Sequence, residues 1–336
     1  MRWVKPHLID WESRMSSLEG TRAGEIVAMN ERALAARPWI QPGYRYHPVS
    51  IHDSECSAFW SQYPYAGWVH VQVDDVVVTM LMANDDGVAL IYNAFGPDSY
   101  EAASVSAWVA VARQSQQIAD IGAFTGLYTL LAQKASPQSK VVTVEPNSAS
   151  RARLFNNVVW NGCDRSRVMP YAVSDEIGTL PLFVPMGADL LDTGASLNRG
   201  ALVSRTEIVA CAPIDSIMAQ CNTTAPDLMK IDVEGLEEAA LRGMPLSLRS
   251  QPTLFLEIAS AASLERCLAL LVPHGYRIWG IDDEQLTMTP AVESGSVEDW
   301  FSKYAFGRAA LNYFCCARDD HFKLAQQGIN RVHSLL

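Results

Sequence analysis

Beginning near Tyr100, β-rich runs and helical segments follow one another without a break. Residues 101–114 read as a helix, 117–122 as a strand, 126–134 as a helix and 141–145 as a strand. A helix then starts at Ser148, a candidate N-cap, and runs to Trp160, with Gly162 stopping it. Residues 168–173, 228–232 and 253–258 are further apolar runs of buried-strand length, and 276–281 with 313–317 form a last strand pair. Strands that alternate with helices predict an α/β fold, a parallel sheet covered on both faces. A short apolar run alone does not distinguish strand from helix, so the alternation carries this expectation.

The first hundred residues are different in kind. Residues 76–82 and 88–92 are two β-rich runs split by Asn84, Asp85, Asp86 and Gly87, which predicts a hairpin. Ahead of them lie Trp3, Trp11, Trp39, Tyr44, Tyr46, Phe59, Trp60, Tyr63, Tyr65 and Trp68, with prolines at 38, 42, 48 and 64 that break any long helix. A helical piece near 16–36 and a packed aromatic layer are expected there. Residues 187–205 are polar and carry Gly187, Gly194 and Gly200, as a mobile loop would.

With 49% hydrophobic and 19% charged residues, the 336-residue chain can fill the core of one enlarged domain, and disorder, collagen and coiled coil are excluded. Its net charge of −11 is the wrong sign for gripping a phosphate backbone, so no nucleic-acid partner is expected. The first twenty residues do not read as a secretory signal. The longest apolar run, 76–83, covers eight residues, so no membrane insertion is expected. Seven scattered cysteines without a C-x-x-C pair argue against a disulfide framework or structural zinc, and point to a reducing, cytoplasmic compartment.

The strongest chemical signal is Asp120-Ile121-Gly122-Ala123-Phe124-Thr125-Gly126 at the end of the first strand of the alternation. Gly122 and Gly126 allow a tight turn and leave room for a ligand beside the next helix. A dinucleotide enzyme would need G-x-G-x-x-G, and Asp120 would repel a diphosphate. An acid followed by G-x-x-x-G suits a ligand with an ammonium group and no phosphate, such as S-adenosyl-L-methionine. Twenty-five residues on, Glu145-Pro146-Asn147 ends the second strand, where a carboxylate can accept from both ribose hydroxyls. Lys230-Ile231-Asp232-Val233-Glu234-Gly235 ends a later strand and Glu257 the one after it. Ligands of open α/β sheets bind outside the carboxyl ends of the strands, so Lys230, Asp232, Glu234 and Glu257 form a candidate polar site. A buried Lys230–Asp232 pair that only orders the loop is the competing explanation.

Taken with Tyr100-Glu101, Gly126-Leu127-Tyr128-Thr129, Asn157, Asn161-Gly162, Ala172-Val173-Ser174-Asp175 and Pro226-Asp227, these blocks resemble the FkbM family of S-adenosylmethionine-dependent O-methyltransferases over roughly residues 100–258. Phe124 departs from the pattern, which often has a small or polar residue such as Asn there. The resemblance implies a class I methyltransferase (Rossmann-like) fold, a seven-stranded sheet with its last strand antiparallel, here with an N-terminal helical and aromatic cap and a β-hairpin. Residues 1–99 match no pattern of that family and are expected to form a cap for substrate binding or oligomerisation, with 100–336 as the cofactor-binding domain. The resemblance implies that Asp120 and Gly122 line the methionine end and Glu145 the ribose, with Ala123, Gly126, Pro146, Asn147 and Asp232 also among the cofactor-binding residues. The adenine falls at the turn of Ala172, Val173 and Ser174, and Glu101 reaches the cofactor's amino group.

Methyl transfer from a sulfonium is an in-line displacement in which alignment is the enzyme's main task. A hydroxyl acceptor must also lose a proton, and Asp232, Glu234, Glu257 and Lys230 are the candidate bases. No histidine lies in a strand-end motif, although His47, His52 or His70 could fold over the site. A divalent metal held by Asp232 and Glu257 is the less favoured alternative. The expected acceptor is a hydroxyl of a small molecule, a secondary metabolite or a sugar or glycan. A nucleic-acid methyltransferase, a non-catalytic cofactor-binding partner subunit and, more weakly, an NAD enzyme are the rivals, and a homodimer is left open.

Overall fold

The computed structural model describes residues 22–42, 54–185, 203–223, 225–291, 297–304 and 311–335. The cap comprises α1 (Arg22–Ala36), α2 (Ser54–Gln62), the hairpin β1 (Ala66–Val73) and β2 (Val76–Ala83), and α3 (Gly87–Phe95). Then come α4 (Ala102–Ala112), β3 (Gln117–Ile121), α5 (Leu127–Ala135), β4 (Lys140–Val144), α6 (Ser148–Trp160), β5 (Val168–Met169), β6 (Ala172–Val173), β7 (Gly178–Pro185) and β8 (Val203–Ala212). The remainder is α7 (Ile214–Gln220), β9 (Leu228–Ile231), α8 (Glu237–Arg242), α9 (Pro245–Arg249), β10 (Thr253–Ile258), α10 (Ala261–Leu271), β11 (Arg277–Asp282), β12 (Thr287–Pro290), α11 (Val297–Tyr304), β13 (Leu311–Cys316) and α12 (Asp319–Leu335).

The main sheet has eight strands in the order β12-β11-β13-β10-β9-β3-β4-β5. Strands β10, β9, β3, β4 and β5 run parallel, and β13 inserts antiparallel between β10 and β11. The expected antiparallel ending is present, but the count of seven is corrected to eight. The extra strand β12 pairs with β11 through a turn at residues 283–286 and lies on the sheet edge. All four residues of β9 are buried, as are four of five in β3 and in β4, because helices cover both faces. Chain order reverses between β3 and β9, so a crevice opens at their carboxyl ends. A small second sheet, β6-β8-β7, stands beside the main one.

Three local expectations are corrected. The hairpin is β1–β2, closed by Asp74 and Asp75, while residues 87–95 form a helix. The Asp86 carboxylate accepts the Ala89 amide at 3.0 Å and caps α3, so the Asn84–Gly87 punctuation starts a helix instead of turning a strand. Residues 168–173 split at Pro170 into β5 and β6, which join different sheets. Asn147, and not Ser148, caps α6, accepting from Ala149 and Ser150; the Ser148 hydroxyl bonds Glu207 at 3.1 Å. Of the proposed mobile loop 187–205, residues 187–202 lie outside the described residues, as do Trp3, Trp11, Tyr44, Tyr46, His47 and His52. Among the described residues no helix is long and apolar enough to cross a membrane.

The hydrophobic core on one sheet face holds Trp108, Leu130, Phe255 and Phe314, and continues into the cap through Val69, Met80, Ile91 and Phe95. Helix α6 fastens the hairpin to the rest. Asn157 accepts the Leu81 amide at 2.7 Å, Asn161 binds both the amide and the carbonyl of Thr79, and Trp68 stacks on Trp160.

Candidate active site

The turn after β3 is knitted into its neighbours by backbone hydrogen bonds. The Gly122 and Ala123 amides both donate to Val144 O, and the Asp232 amide donates to Ile121 O. Gly122 has φ +81, and a Cβ there would lie 1.6 Å from the Asp232 carbonyl oxygen, so only glycine lets the ends of β3 and β9 approach this closely. Phe124 adopts a left-handed φ of 50°, unusual for an aromatic residue, and this aims its amide at Glu145 Oε2, 2.8 Å away. The other Glu145 oxygen accepts the Asn147 amide at 2.7 Å, and Arg151 clamps the carbonyls of Glu145 and Pro146. Burial pushes the Glu145 carboxyl up to about 8, against the two amides and Arg151.

Asp120 is buried, and its carboxylate turns toward α5 to accept the Thr129 hydroxyl at 2.6 Å. Burial raises it to about 6, opposed by Thr129 and Lys230. Its visible task is therefore to tie β3 to α5 behind the turn.

Beside this turn the structure brings Glu101, Lys230, Asp232 and Glu257 together with Tyr100 and Tyr128. The Lys230 ammonium lies 3.0 Å from Asp232 and 3.8 Å from Glu257, over the face of the Tyr128 ring. The Tyr128 hydroxyl donates to Glu101 Oε2 at 2.5 Å. Burial works against the Lys230 charge, but Asp232, Glu257 and Glu101 outweigh it and raise its pKa. Burial opposes ionisation of Asp232 too, yet Lys230 and a hydrogen bond from Glu257 hold its carboxyl below the usual range. Glu257 goes the other way: burial and the neighbouring Asp232 charge raise its carboxyl well above the usual range. The result is an ammonium between two acids that burial and their neighbours drive in opposite directions, at the ends of β9 and β10. Lys230 thus supplies the positive charge between the two acids, and it stays protonated where a base must be free of its proton.

Glu234 is exposed in the turn after β9, with a left-handed φ of 51°. Ala172 and Val173 are buried in β6, and the Ser174 amide donates to Ala212 O, so this segment forms a strand end at the border of the small sheet and not a free turn. Among the described residues no group of three or more His, Cys, Asp or Glu could hold a metal ion. His70 is exposed on the hairpin, its Nδ1 3.1 Å from the Thr79 hydroxyl.

Several participants carry no role in the sequence reading. Tyr100 and Tyr128 stand inside recognised blocks, and their phenols are what set them apart. Asp283 had no signal: it comes from the β11–β12 turn and accepts both the amide and the hydroxyl of Ser104 at the start of α4.

The glycine turn, the acid ending β4 and the polar cluster ending β9 and β10 meet at the carboxyl ends of an α/β sheet and make up the candidate site. Residues 120–278 match the family model described as the Methyltransferase FkbM domain. This part of the chain is an FkbM methyltransferase domain, and the protein is an S-adenosylmethionine-dependent methyltransferase. A search of curated proteins gives no match. Among solved structures the chain is similar to the precorrin-6y C5,15-methyltransferase from Geobacter metallireducens, at 12% identity and TM-score 0.34 over 64% of this chain and 87% of that one. It is similar to the O-methyltransferase from Bacillus cereus in complex with S-adenosylhomocysteine, at 10% identity and TM-score 0.36 over 63% and 78%. A third is TomG from Streptomyces achromogenes, an O-methyltransferase involved in tomaymycin synthesis, at 9% identity and TM-score 0.35 over 63% and 77%. With TM-scores this low, no property of those proteins is carried over to this chain.

The residues present fit the cofactor. Glu145 is 6% exposed and raised to about 8, a buried acceptor whose charge two amides leave undercompensated, as suits a site that a ribose diol completes. The acids around the turn suit an ammonium group and oppose a phosphate.

Proposed function

We propose that this protein methylates a hydroxyl group of a small molecule, a secondary metabolite or a glycan. The observation that carries this reading is the Asp232 carboxylate, 3.0 Å from the Lys230 ammonium and held below the usual carboxylate range, on a residue whose backbone carbonyl packs against the Gly122 turn. S-adenosylmethionine supplies a methyl group already activated on a sulfonium. The chain's own residues then have three tasks. Glu145 accepts from the ribose, Glu101 from the ammonium group, and Asp232 from the acceptor hydroxyl. As oxygen takes up the methyl group its proton becomes strongly acidic, so a weak base within reach is enough, and the proton passes to Asp232. Glu257 donates to Asp232 and keeps its charge aimed, while Lys230 anchors the pair.

The cap touches this cluster, which supports a part in acceptor choice: the Tyr92 hydroxyl from α3 donates to Tyr100 O, and the Tyr100 phenol is raised by burial and by Glu101, Glu257 and Asp232 nearby. All seven cysteines are free, which supports a reducing, cytoplasmic setting. Transfer of labelled methyl groups to a panel of hydroxylated acceptors tests the proposal. Asp232→Asn should lower kcat on the order of 10²-fold or more, with affinity for S-adenosylhomocysteine within about threefold of the parent. Undiminished turnover in that variant removes Asp232 as the base.

A further inference from the structure

Resting on the cofactor assignment above, we propose that Tyr128 is a positioning residue for the amino-acid end of the cofactor: its hydroxyl fixes the Glu101 carboxylate that receives the ammonium group. Glu101 stands at the N-cap position of α4 but makes no capping bond of its own. The amide a cap would serve, Ser104 N, is bound by Asp283 at 2.8 Å. Glu101 holds a left-handed φ of 46°, a conformation that costs a non-glycine residue about 1 kcal/mol. Helix capping does not explain that cost.

Its carboxylate also lacks the partner that its neighbours have. Lys230, the cation of the cluster, gives its ion pairs to Asp232 and Glu257, not to Glu101. What Glu101 has are phenols: Tyr128 donates to Oε2 at 2.5 Å, and the Tyr100 hydroxyl is a further hydrogen-bond partner. The Tyr128 phenol is itself rigidly held. The Trp108 indole packs edge-on against the Tyr128 ring at 5.3 Å, and its Nε1 donates to the Tyr128 carbonyl at 3.0 Å. Tyr128 is the second residue of α5, two after Gly126, so one side chain links the glycine turn to the start of α4. A half-buried carboxylate, fixed by neutral donors and left unpaired by the cation beside it, is built to receive an ammonium from a ligand.

Calorimetry with S-adenosylhomocysteine and with 5′-methylthioadenosine, which has the same nucleoside and sulfur but no amino acid, tests this without any acceptor. Tyr128→Phe keeps the ring, hence the contacts with Trp108 and Lys230, and removes only the hydroxyl. It should weaken S-adenosylhomocysteine about tenfold and leave 5′-methylthioadenosine within about twofold. Glu101→Gln should give the same split, and the double variant should bind no worse than Glu101→Gln alone, since the two residues act as one unit. Unchanged S-adenosylhomocysteine binding in Tyr128→Phe overturns the inference, and so does an equal loss for both ligands, which would mark Tyr128 as merely structural. Failure of the parent protein to bind S-adenosylhomocysteine overturns instead the cofactor assignment on which the inference rests.

Discussion

Glu145 carries the clearest pH signature in the molecule. Its carboxyl titrates near 4.5 when the chain is unfolded and near 8 in the folded protein, where burial outweighs the amides of Asn147 and Phe124. The folded state therefore holds one more proton than the unfolded state between those values. Stability from this group is full below about pH 4.5 and is lost as pH rises through about 8. Asp86 and Asp120, both raised by burial to about 6, act the same way but finish earlier. Urea unfolding of the ligand-free protein should thus show stability falling from pH 7 to 8.5, and Glu145→Gln should flatten that slope; an unaltered slope would mean that another group governs it. In the same window the parent's affinity for S-adenosylhomocysteine should rise, because the ribose donates to the ionised form. Phe124 is the second residue whose backbone matters. With φ at 50°, Phe124→Gly should be more stable than Phe124→Ala by about 1 kcal/mol in the same assay, the reverse of the usual order for a turn residue that could adopt negative φ.

Helix α6 shows how one element can serve both the cap and the site. Asn157 is fully buried; its oxygen accepts the Leu81 amide of the hairpin and its nitrogen donates to Thr125 O in the glycine turn at 2.8 Å. Asn157→Ala leaves a buried donor and a buried acceptor unpaired and should cost about 2–4 kcal/mol in chemical denaturation; a cost under about 1 kcal/mol would mean that water replaces both bonds. Asn157 and Asn161 were visible in the sequence as part of a family block, but nothing local says that their partners are 76 and 82 residues upstream. The same limit explains what was and was not legible elsewhere. Strands β3, β4, β9 and β10 announced themselves because burial on both faces makes them continuous apolar runs. The run 88–92 was equally apolar and misread, since a buried helix and a buried strand share that pattern; the deciding residue was Asp86, whose capping bond shows only in space. Within the site, glycines and strand-end acids were legible because tight turns and crevice edges demand those types. The protonation order of Asp232 and Glu257, the turning of Asp120 into the core and the arrival of Asp283 at α4 depend on side-chain direction and distant pairing.

At the scale of the whole molecule, the question is whether the cap is a separable lid or part of one folding unit. The hydrophobic core answers through its membership: Ala33, Phe59, Val71 and Met82 from the cap belong to the same buried cluster as Trp108, Leu131, Phe255 and Cys316 from the sheet and its helices. Polar contacts cross the same boundary, with Arg153 forming a bidentate pair with Asp85, Arg113 meeting Asp74 and Asp75, and Arg331 meeting Asp74 at the hairpin tip. These ion pairs lie near the surface and add little; the shared apolar contacts are what make separation costly. Peeling the cap away would expose both sides of that cluster, a penalty of the order of the net stability of a domain. The chain should therefore unfold in a single cooperative step. Far-UV circular dichroism, which follows the main sheet and its helices, and the fluorescence of the Trp68–Trp160 stack, whose rings lie 4.2 Å apart across the boundary, should give one coincident transition. Saturating S-adenosylhomocysteine should move both signals upward together, since a ligand that binds only the folded state stabilises every part of the unit to which its site belongs. An early fluorescence change that leaves the circular dichroism intact and does not respond to ligand would instead make the cap an independent lid. In that case Trp160→Phe, which removes the reporter from the domain side, should abolish the early phase without altering the main one.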